Sequence, residues 1–323
     1  MAQAIRIHEH GGPEVLRFEE VAVGAPAAGQ ALVRHTAIGL NYIDTYHRTG
    51  LYPISLPAVL GSEGAGVVVS VGPGVTEVAA GDRVAYAGGS PGSYATERLY
   101  PADRLVPLPA DISDEAAAAM MLKGMTAQYL LRRTHRVAPG ETILFHAAAG
   151  GVGLIAVQWA KRLGATVIGT VSTDEKAALA RKAGCDHVVV TTREEFVQRV
   201  REITGGRGVP VVYDSVGKDT FAGSLDCLAP LGMMVSYGNA SGPVAPISPG
   251  ILGPKGSLFL TRPSLPHYTA SRADLLATAA DLFEQVRTGL AVDVNQRYAL
   301  RDAAQAHRDL EARRTTGSTL LVP

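Results

Sequence analysis

The sequence predicts an α/β protein with a mostly β N-terminal domain followed by a doubly wound parallel sheet. Three observations predict it. Up to about residue 110, short β-like runs alternate with Gly/Pro turns. From Asp111 onward, apolar β-branched runs alternate with helical patterns, as expected of parallel strands joined by crossover helices. The chain has 323 residues, 46% of them hydrophobic and 19% charged, so it holds enough apolar side chains for two cores.

Composition also excludes some classes. Lys plus Arg equals Asp plus Glu at 30 each, so no net field draws the chain to nucleic acid or to an anionic membrane. The two cysteines, Cys185 and Cys227, allow at most one disulfide and exclude a cysteine-rich zinc lobe. The start, Met1 to Arg6, lacks the pattern of a signal peptide, and no apolar run is long enough to span a bilayer. A cytoplasmic setting is the expectation.

The elements follow in order. Ala2 to Ile7, Ala31 to Ile38, Gly66 to Val71, Arg83 to Tyr86 and Tyr94 to Leu99 read as strands. Gly11-Gly12-Pro13, Gly72-Pro73-Gly74 and Gly81-Asp82 read as turns. Ser113 caps a helix through Met121, and a second helical stretch covers Thr126 to Arg133. Thr142 to His146 is a buried strand, and Gly151 to Leu163 is a helix ended by Gly164. Thr166 to Val171 is the next strand. Ser172 with Glu175, and Thr192 with Glu195, have capping-box spacing before the following helices. Val188 to Val190, Val209 to Asp214, Met233 to Tyr237 and Ser257 to Thr261 complete the predicted sheet, with Phe221 to Ala229 helical. A long helix near Ala273 to Thr288 precedes a strand-helix-strand ending from Tyr298 to Pro323.

The strongest chemical signal is Ala147-Ala148-Ala149-Gly150-Gly151-Val152-Gly153, placed between a predicted strand and a predicted helix. Ala148, Gly150 and Gly153 take the spacing of GxGxxG. Small residues are needed there because the turn is tight, the backbone approaches a pyrophosphate and the helix packs close to the strand. The helix N-terminus offers free N–H groups to phosphate oxygens. Ala149, Gly150, Gly151, Val152 and Gly153 are therefore candidate dinucleotide-binding residues.

An NAD site carries an acidic residue about 20 positions further on. Here the second strand ends Gly169-Thr170-Val171-Ser172-Thr173, without a carboxylate at its tip. Ser172, Thr173 and Lys176 stand there instead, and Lys176 can pair with a 2′-phosphate. The pattern favours NADPH. Ligands of open α/β sheets lie beyond the carboxyl ends of the strands. Thr192, Ser215, Gly217, Gly238, Asn239, Thr261 and Arg262 join the candidates on that ground.

These residues carry a family resemblance that runs nearly end to end. His10-Gly11-Gly12-Pro13-Glu14-Val15-Leu16, Gly39-Leu40-Asn41-Tyr42-Ile43-Asp44-Thr45-Tyr46 and Gly50-Leu51-Tyr52-Pro53 resemble the zeta-crystallin-like NADPH:quinone oxidoreductases of the medium-chain dehydrogenase/reductase superfamily. So do Gly81-Asp82-Arg83-Val84, the Ala-rich glycine loop, Tyr213-Asp214-Ser215-Val216-Gly217, Lys255-Gly256-Ser257-Leu258 and Thr261-Arg262-Pro263-Ser264. The resemblance implies a GroES-like substrate domain over 1–124, a Rossmann NADPH-binding domain over 125–262, and a segment, 263–323, that returns to the first domain. It implies an active site in the cleft between domains and a homodimer joined through the edge strand near Ser257 to Leu260.

The resemblance also implies that Asn41, Tyr46 and Tyr52 surround the nicotinamide and the carbonyl, and that Lys123 and Thr126 face the cofactor. Zinc-dependent members place a cysteine and a histidine-glutamate pair where this chain has Asn41 and Ser62-Glu63, so no metal is expected. Without one, hydride transfer rests on positioning and on hydrogen bonds to the developing oxyanion. His146 is expected to be a satisfied core residue, and His47 and His135 to be loop or surface residues. The implied substrate is a quinone or a related conjugated carbonyl. The alternatives are an NADPH-dependent alkenal or enone reductase and, in another class, an RNA-binding or structural crystallin-like protein.

Overall fold

Turn chemistry cuts the first hundred residues into short strands. They are β1 (Ala2–Ile7), β2 (Arg17–Val21), β3 (Gln30–Leu40), β4 (Ala58–Val59), β5 (Glu63–Val71), β6 (Arg83–Ala87), β7 (Glu97–Pro101) and β8 (Val106–Pro107) in a computed structural model that describes residues 1–323. Strand β3 begins with alternating burial and ends with both faces covered at Ile38 to Leu40. Between β3 and β4 lies a helix that the strand-and-turn pattern does not predict, α1 (Tyr42–Thr49). It is short and mixes aromatic, β-branched and polar residues. It forms because the Asp44 carboxylate accepts from the Asn41 amide at its start and Gly50 takes a left-handed turn, φ 80°, at its end.

The two helices expected between Ser113 and Arg133 are one. Helix α2 (Asp114–Tyr129) runs without a break into a π-helical turn at Leu130–Thr134. Gly124, which suggests a junction, is small because a Cβ there would stand 2.5 Å from the Leu282 side chain. The π-turn is held by the Tyr213 hydroxyl, which donates to the Leu130 carbonyl at 3.1 Å.

The second half contains a wholly parallel sheet. Its strands are β9 (Thr142–Phe145), β10 (Thr166–Val171), β11 (His187–Val190), β12 (Val209–Asp214), β13 (Leu228–Ser236) and β14 (Phe259–Thr261). Their order is β11-β10-β9-β12-β13-β14, the reversal at β9 that characterises a Rossmann sheet. The crossovers are α3 (Gly151–Arg162), α4 (Asp174–Ala183), α5 (Phe196–Ile203) and α6 (Phe221–Asp226), and the short α7 (Leu265–Tyr268) follows β14. Leu144, Ile168, Val189, Val212, Met234 and Leu225 form one core of this sheet, and the only tryptophan, Trp159, is fully buried in α3. Two helix starts differ from expectation. Thr173, not Ser172, caps α4, and α5 begins at Phe196 because the Thr192 hydroxyl donates to the Ser172 carbonyl instead of capping.

After α8 (Arg272–Arg287) the chain adds β15 (Val294–Ala299), α9 (Ala303–Glu311) and β16 (Ser318–Val322). Strand β16 pairs antiparallel with β3, Leu320 opposite Gly39, inside a seven-stranded sheet of order β15-β16-β3-β5-β6-β8 with β7 also on β3. Strands β2, β1 and β4 make a separate three-stranded sheet. Ile5, Ile7, Ile38, Leu40, Leu60, Leu300 and Leu321 form the core of this part. By contacts the chain divides into two units: Met1–Met125, Thr269–Val286 and Ala291–Pro323 form the first, Thr126–Tyr268 and Arg287–Leu290 the second. No helix is long and apolar enough to cross a membrane. Cys185 and Cys227 are buried and unbridged.

Candidate functional site

In the first unit, Asn41 stands at the junction of β3 and α1 and is 7% exposed. Its amide nitrogen donates to Glu63 Oε2 at 2.7 Å and to the Gly39 carbonyl at 3.3 Å. Glu63, fully buried at the start of β5, also accepts from Lys123 Nζ at 3.0 Å and from the Leu122 amide at 2.7 Å. A dry carboxylate is tolerated only with such partners. Gly39 makes the approach possible, since a Cβ there would lie 2.2 Å from the Ala118 carbonyl and 2.3 Å from Glu63 Oε2. Glu63 is a residue that sequence reasoning missed as a site component. Its partners are 22 and 60 positions away, and no local pattern links them.

Helix α1 carries Tyr46, which is buried, and Tyr52 follows it. Their rings meet edge-on with centroids 5.1 Å apart, and Tyr42 lies 5.6 Å from Tyr46. The Tyr52 amide donates to the Tyr46 carbonyl at 3.1 Å, so the two tyrosines are fixed as a pair. His47 is part of α1 and half-buried against Tyr52, not a surface residue.

The helix is anchored by a one-way chain of donors. Arg48, 1% exposed, donates to His307 Nδ1 at 2.9 Å, and His307 Nε2 stands 3.0 Å from the Tyr94 hydroxyl. Tyr94 donates to Asp44 Oδ2 at 2.9 Å, and Ser62 donates to Asp44 Oδ1 at 2.8 Å. Arg48 also pairs with Glu311 at 2.6 Å. Burial pushes the Asp44 carboxyl up to about 6, against the pull of its hydrogen-bond donors. Burial, aided by the Arg48 charge, brings His307 down to about 3.

In the second unit, the candidates gather at the carboxyl ends of the parallel strands. The glycine loop follows β9. Ala147 there takes a left-handed φ of 53°, and the Gly150 amide donates back to the Ala147 carbonyl at 2.9 Å. Gly150 caps α3 without a side-chain bond, so the amides of Gly151, Val152 and Gly153 open the helix with no acceptor in the chain. A Cβ at Gly153 would stand 2.3 Å from the Ala147 carbonyl. Uncovered amides, a positive helix end and close backbone fit a dinucleotide pyrophosphate. Ala149 is buried beneath the loop.

Beyond β10, Thr173 Oγ1 accepts from the Lys176 amide at 3.3 Å, which places Lys176 in the first turn of α4 beside Ser172. The two nearby carboxylates are engaged: Asp174 pairs with Arg193 at 2.7 Å and Glu175 bonds the Thr173 side chain. Thr192 is tied to the Ser172 carbonyl. Beyond β12 and β13, Ser215, Gly217, Gly238 and Asn239 interlock. The Ala240 amide donates to the Ser215 carbonyl at 3.1 Å, and a Cβ at Gly238 would lie 2.4 Å from that same oxygen. Thr261 ends β14. Arg262 braces the neighbouring loop, donating to Ser236 Oγ at 3.1 Å and to the Gly238 carbonyl at 2.9 Å, with the Asn239 amide oxygen as a further acceptor. Thr126 is buried and bonds the Tyr129 hydroxyl.

The places where zinc-dependent relatives bind metal do not fit one here. The lone pairs of Glu63 are taken by three N–H donors, Asn41 presents amide protons to it, and no group of three or more His, Cys, Asp or Glu could hold an ion.

The Rossmann sheet and the GroES-like unit define a medium-chain dehydrogenase/reductase architecture. Family models agree: one described as alcohol dehydrogenase GroES-like domain matches residues 27–110, and one described as zinc-binding dehydrogenase matches 151–282. A quinone oxidoreductase of Pseudomonas aeruginosa is 54% identical over 325 residues, covering 100% of both chains. Escherichia coli quinone oxidoreductase, solved in complex with NADPH, has a TM-score of 0.98 at 52% identity, again over 100% of both chains. A 2-haloacrylate reductase from a Burkholderia species is 51% identical over 331 residues, 100% of this chain and 99% of that one. The chain belongs to the quinone oxidoreductase family of the medium-chain dehydrogenase/reductases.

Proposed function

We propose that the chain is a zinc-independent, NADPH-dependent quinone reductase. The observation that carries this is full-length likeness to quinone oxidoreductases, one of them solved with NADPH, joined to an intact phosphate-binding helix start. The bound nicotinamide supplies a hydride; the chain's residues bind, orient and hydrogen-bond. The amides of Gly151, Val152 and Gly153 hold the pyrophosphate, and Lys176, with Ser172 and Thr173 beside it, takes the 2′-phosphate. The amide protons of Asn41 go to Glu63 and Gly39, which favours another group as the donor to a developing oxyanion. That role falls to the Tyr52 hydroxyl, with Tyr46 fixing its ring.

The test is oxidation of NADPH and NADH, in parallel, with 1,4-benzoquinone, a simple enone and 2-chloroacrylate as acceptors. Fast NADPH oxidation with the quinone supports the proposal. Turnover with the enone or the acrylate alone moves the activity to a carbon–carbon double bond, the second reading that likeness to a 2-haloacrylate reductase favours.

We further propose a cytoplasmic homodimer. Strand β14 is an unpaired edge, and Phe259 and Leu260 on it, with Leu231 on the adjacent β13, are 57%, 39% and 68% exposed. Phe259→Glu is expected to convert a dimer to a monomer by sedimentation; a wild-type monomer would refute the assembly.

A further inference from the structure

Behind the strand ends of the Rossmann sheet lies a polar chain with no access to solvent. It comprises Asp214, Ser224, His146 and Thr170, at 0%, 0%, 0% and 3% exposure. Asp214 accepts from the Val216 amide at 2.8 Å, the Gly217 amide at 3.0 Å, the Thr220 hydroxyl at 2.9 Å and the Ser224 hydroxyl at 2.9 Å. Such a carboxylate is an acceptor only, which orders every proton beyond it. Ser224 spends its hydrogen on Asp214, so it must accept from His146 Nε2, 3.0 Å away. Burial holds His146 below its ordinary pKa, so the ring is neutral, Nε2 carries the hydrogen and Nδ1 accepts from the Thr170 hydroxyl at 2.9 Å.

The ends of this relay are loops. His146 immediately precedes Ala147, the non-glycine residue in left-handed conformation from which the glycine loop turns. Thr170 receives the Ala148 amide on its carbonyl at 3.0 Å. Asp214 pins Ser215 to Gly217, and Tyr237 donates to the Asp214 carbonyl at 2.8 Å, which ties in the loop after β13. None of the four side chains is exposed to a ligand.

We propose that His146 is a positioning residue for dinucleotide binding: through Ser224 it ties the glycine loop to the Asp214-anchored loop, so that both present one fixed edge to the cofactor. The inference rests on the NADPH reading above. Its mark is equal action on NADPH and NADH, because the two loops it ties together are assigned to the part common to both cofactors and none of its side chains is assigned to the 2′-phosphate.

The experiment measures the Kd of both cofactors by nicotinamide fluorescence, and kcat at saturating NADPH. The variants are Thr170→Val, Ser224→Ala, His146→Ala and His146→Gln, each held well below its own Tm. Thr170→Val and Ser224→Ala keep the argument testable if His146→Ala fails to fold. The expected result is a Kd raised about tenfold for both cofactors, about 1.4 kcal/mol, with kcat within about twofold of the unmodified chain. His146→Gln, whose amide N–H reaches Ser224, is expected to recover part of the loss. An unchanged Kd in the folded variants, or a loss confined to kcat, overturns the inference. If the unmodified chain binds neither cofactor, the NADPH reading falls and the relay with it.

Discussion

Glu63→Gln tests the Asn41–Glu63–Lys123 arrangement directly. The carboxylate has no exposed surface and the Lys123 side chain has 6%. Removing the negative charge leaves a buried ammonium without its hydrogen-bonded counter-charge, at a cost of about 3–5 kcal/mol. For a unit of this size each kcal/mol lowers Tm by about 2–4 °C, so a fall on the order of 6–20 °C is expected. Lys123→Met also costs stability, because Glu63 keeps only the Asn41 and Leu122 donors. The double variant removes both charges and is expected to recover about 2–3 kcal/mol relative to the sum of the single variants. The assay is urea unfolding followed by circular dichroism, because Trp159 lies in the second unit and Glu63 in the first. If Glu63→Gln costs under about 1 kcal/mol and the two substitutions simply add, the pair is not the dry, mutually dependent one described.

Stability should fall in mild acid. Burial lowers His35 to about 4 and His307 to about 3, from an ordinary 6.5. Their stabilising effect is complete above pH 6.5 and is lost as pH falls toward those values, about 5 kcal/mol for the two by pH 4.5, while protonation of Asp44, raised from 3.8 to about 6, returns about 2. A net loss on the order of 3 kcal/mol between pH 7 and 4.5 is expected in urea midpoints, and a flat profile would refute the neutral buried histidines. Gly153→Ala should raise the NADPH Kd at least about tenfold, since the clash at 2.3 Å is with backbone that cannot rotate away; fluorescence titration decides it. Lys176→Ala should weaken NADPH about tenfold or more with little effect on NADH, and equal weakening would free Lys176 from the phosphate. Tyr52→Phe should lower kcat about tenfold with NADPH affinity kept, and unchanged turnover would make Tyr52 a packing residue.

The parallel sheet was legible because most of its strands are short apolar runs and the crossovers α3 and α4 end at glycines in left-handed conformation, Gly164 and Gly184. The glycine loop was legible because its small residues sit between such a strand and such a helix. Helix α1 was not, since eight residues are only about two turns and the face they bury is Asp44, Thr45, Tyr46 and Arg48, held by a buried chain ending at residues 307 and 311. Lys123-Gly124 read as a helix junction, whereas Gly124 is dictated by the Leu282 side chain packed on it. Asn41, Tyr46 and Tyr52 came from family likeness; that Asn41 faces Glu63 with its donors is visible only in three dimensions. Thr173 rather than Ser172 as the α4 cap is a difference of one position, within the usual uncertainty of helix starts.

The seam between β16 and β3 has a consequence for synthesis. Strand β3 finds β5 and β7 soon after it is made, but its Ile38–Leu40 end waits for Ser318–Val322, far later in the chain. Arg48 waits likewise for His307 and Glu311. The Rossmann unit, nearly continuous from Thr126 to Tyr268, is complete well before that. Vectorial folding ordinarily matures the N-terminal unit first, whereas here the sequence ranges let the Rossmann unit be completed before the unit that starts ahead of it. The GroES-like half keeps part of the β3 edge uncovered until β16 is made, and loss of Ser318–Val322 would strike that half rather than the Rossmann unit.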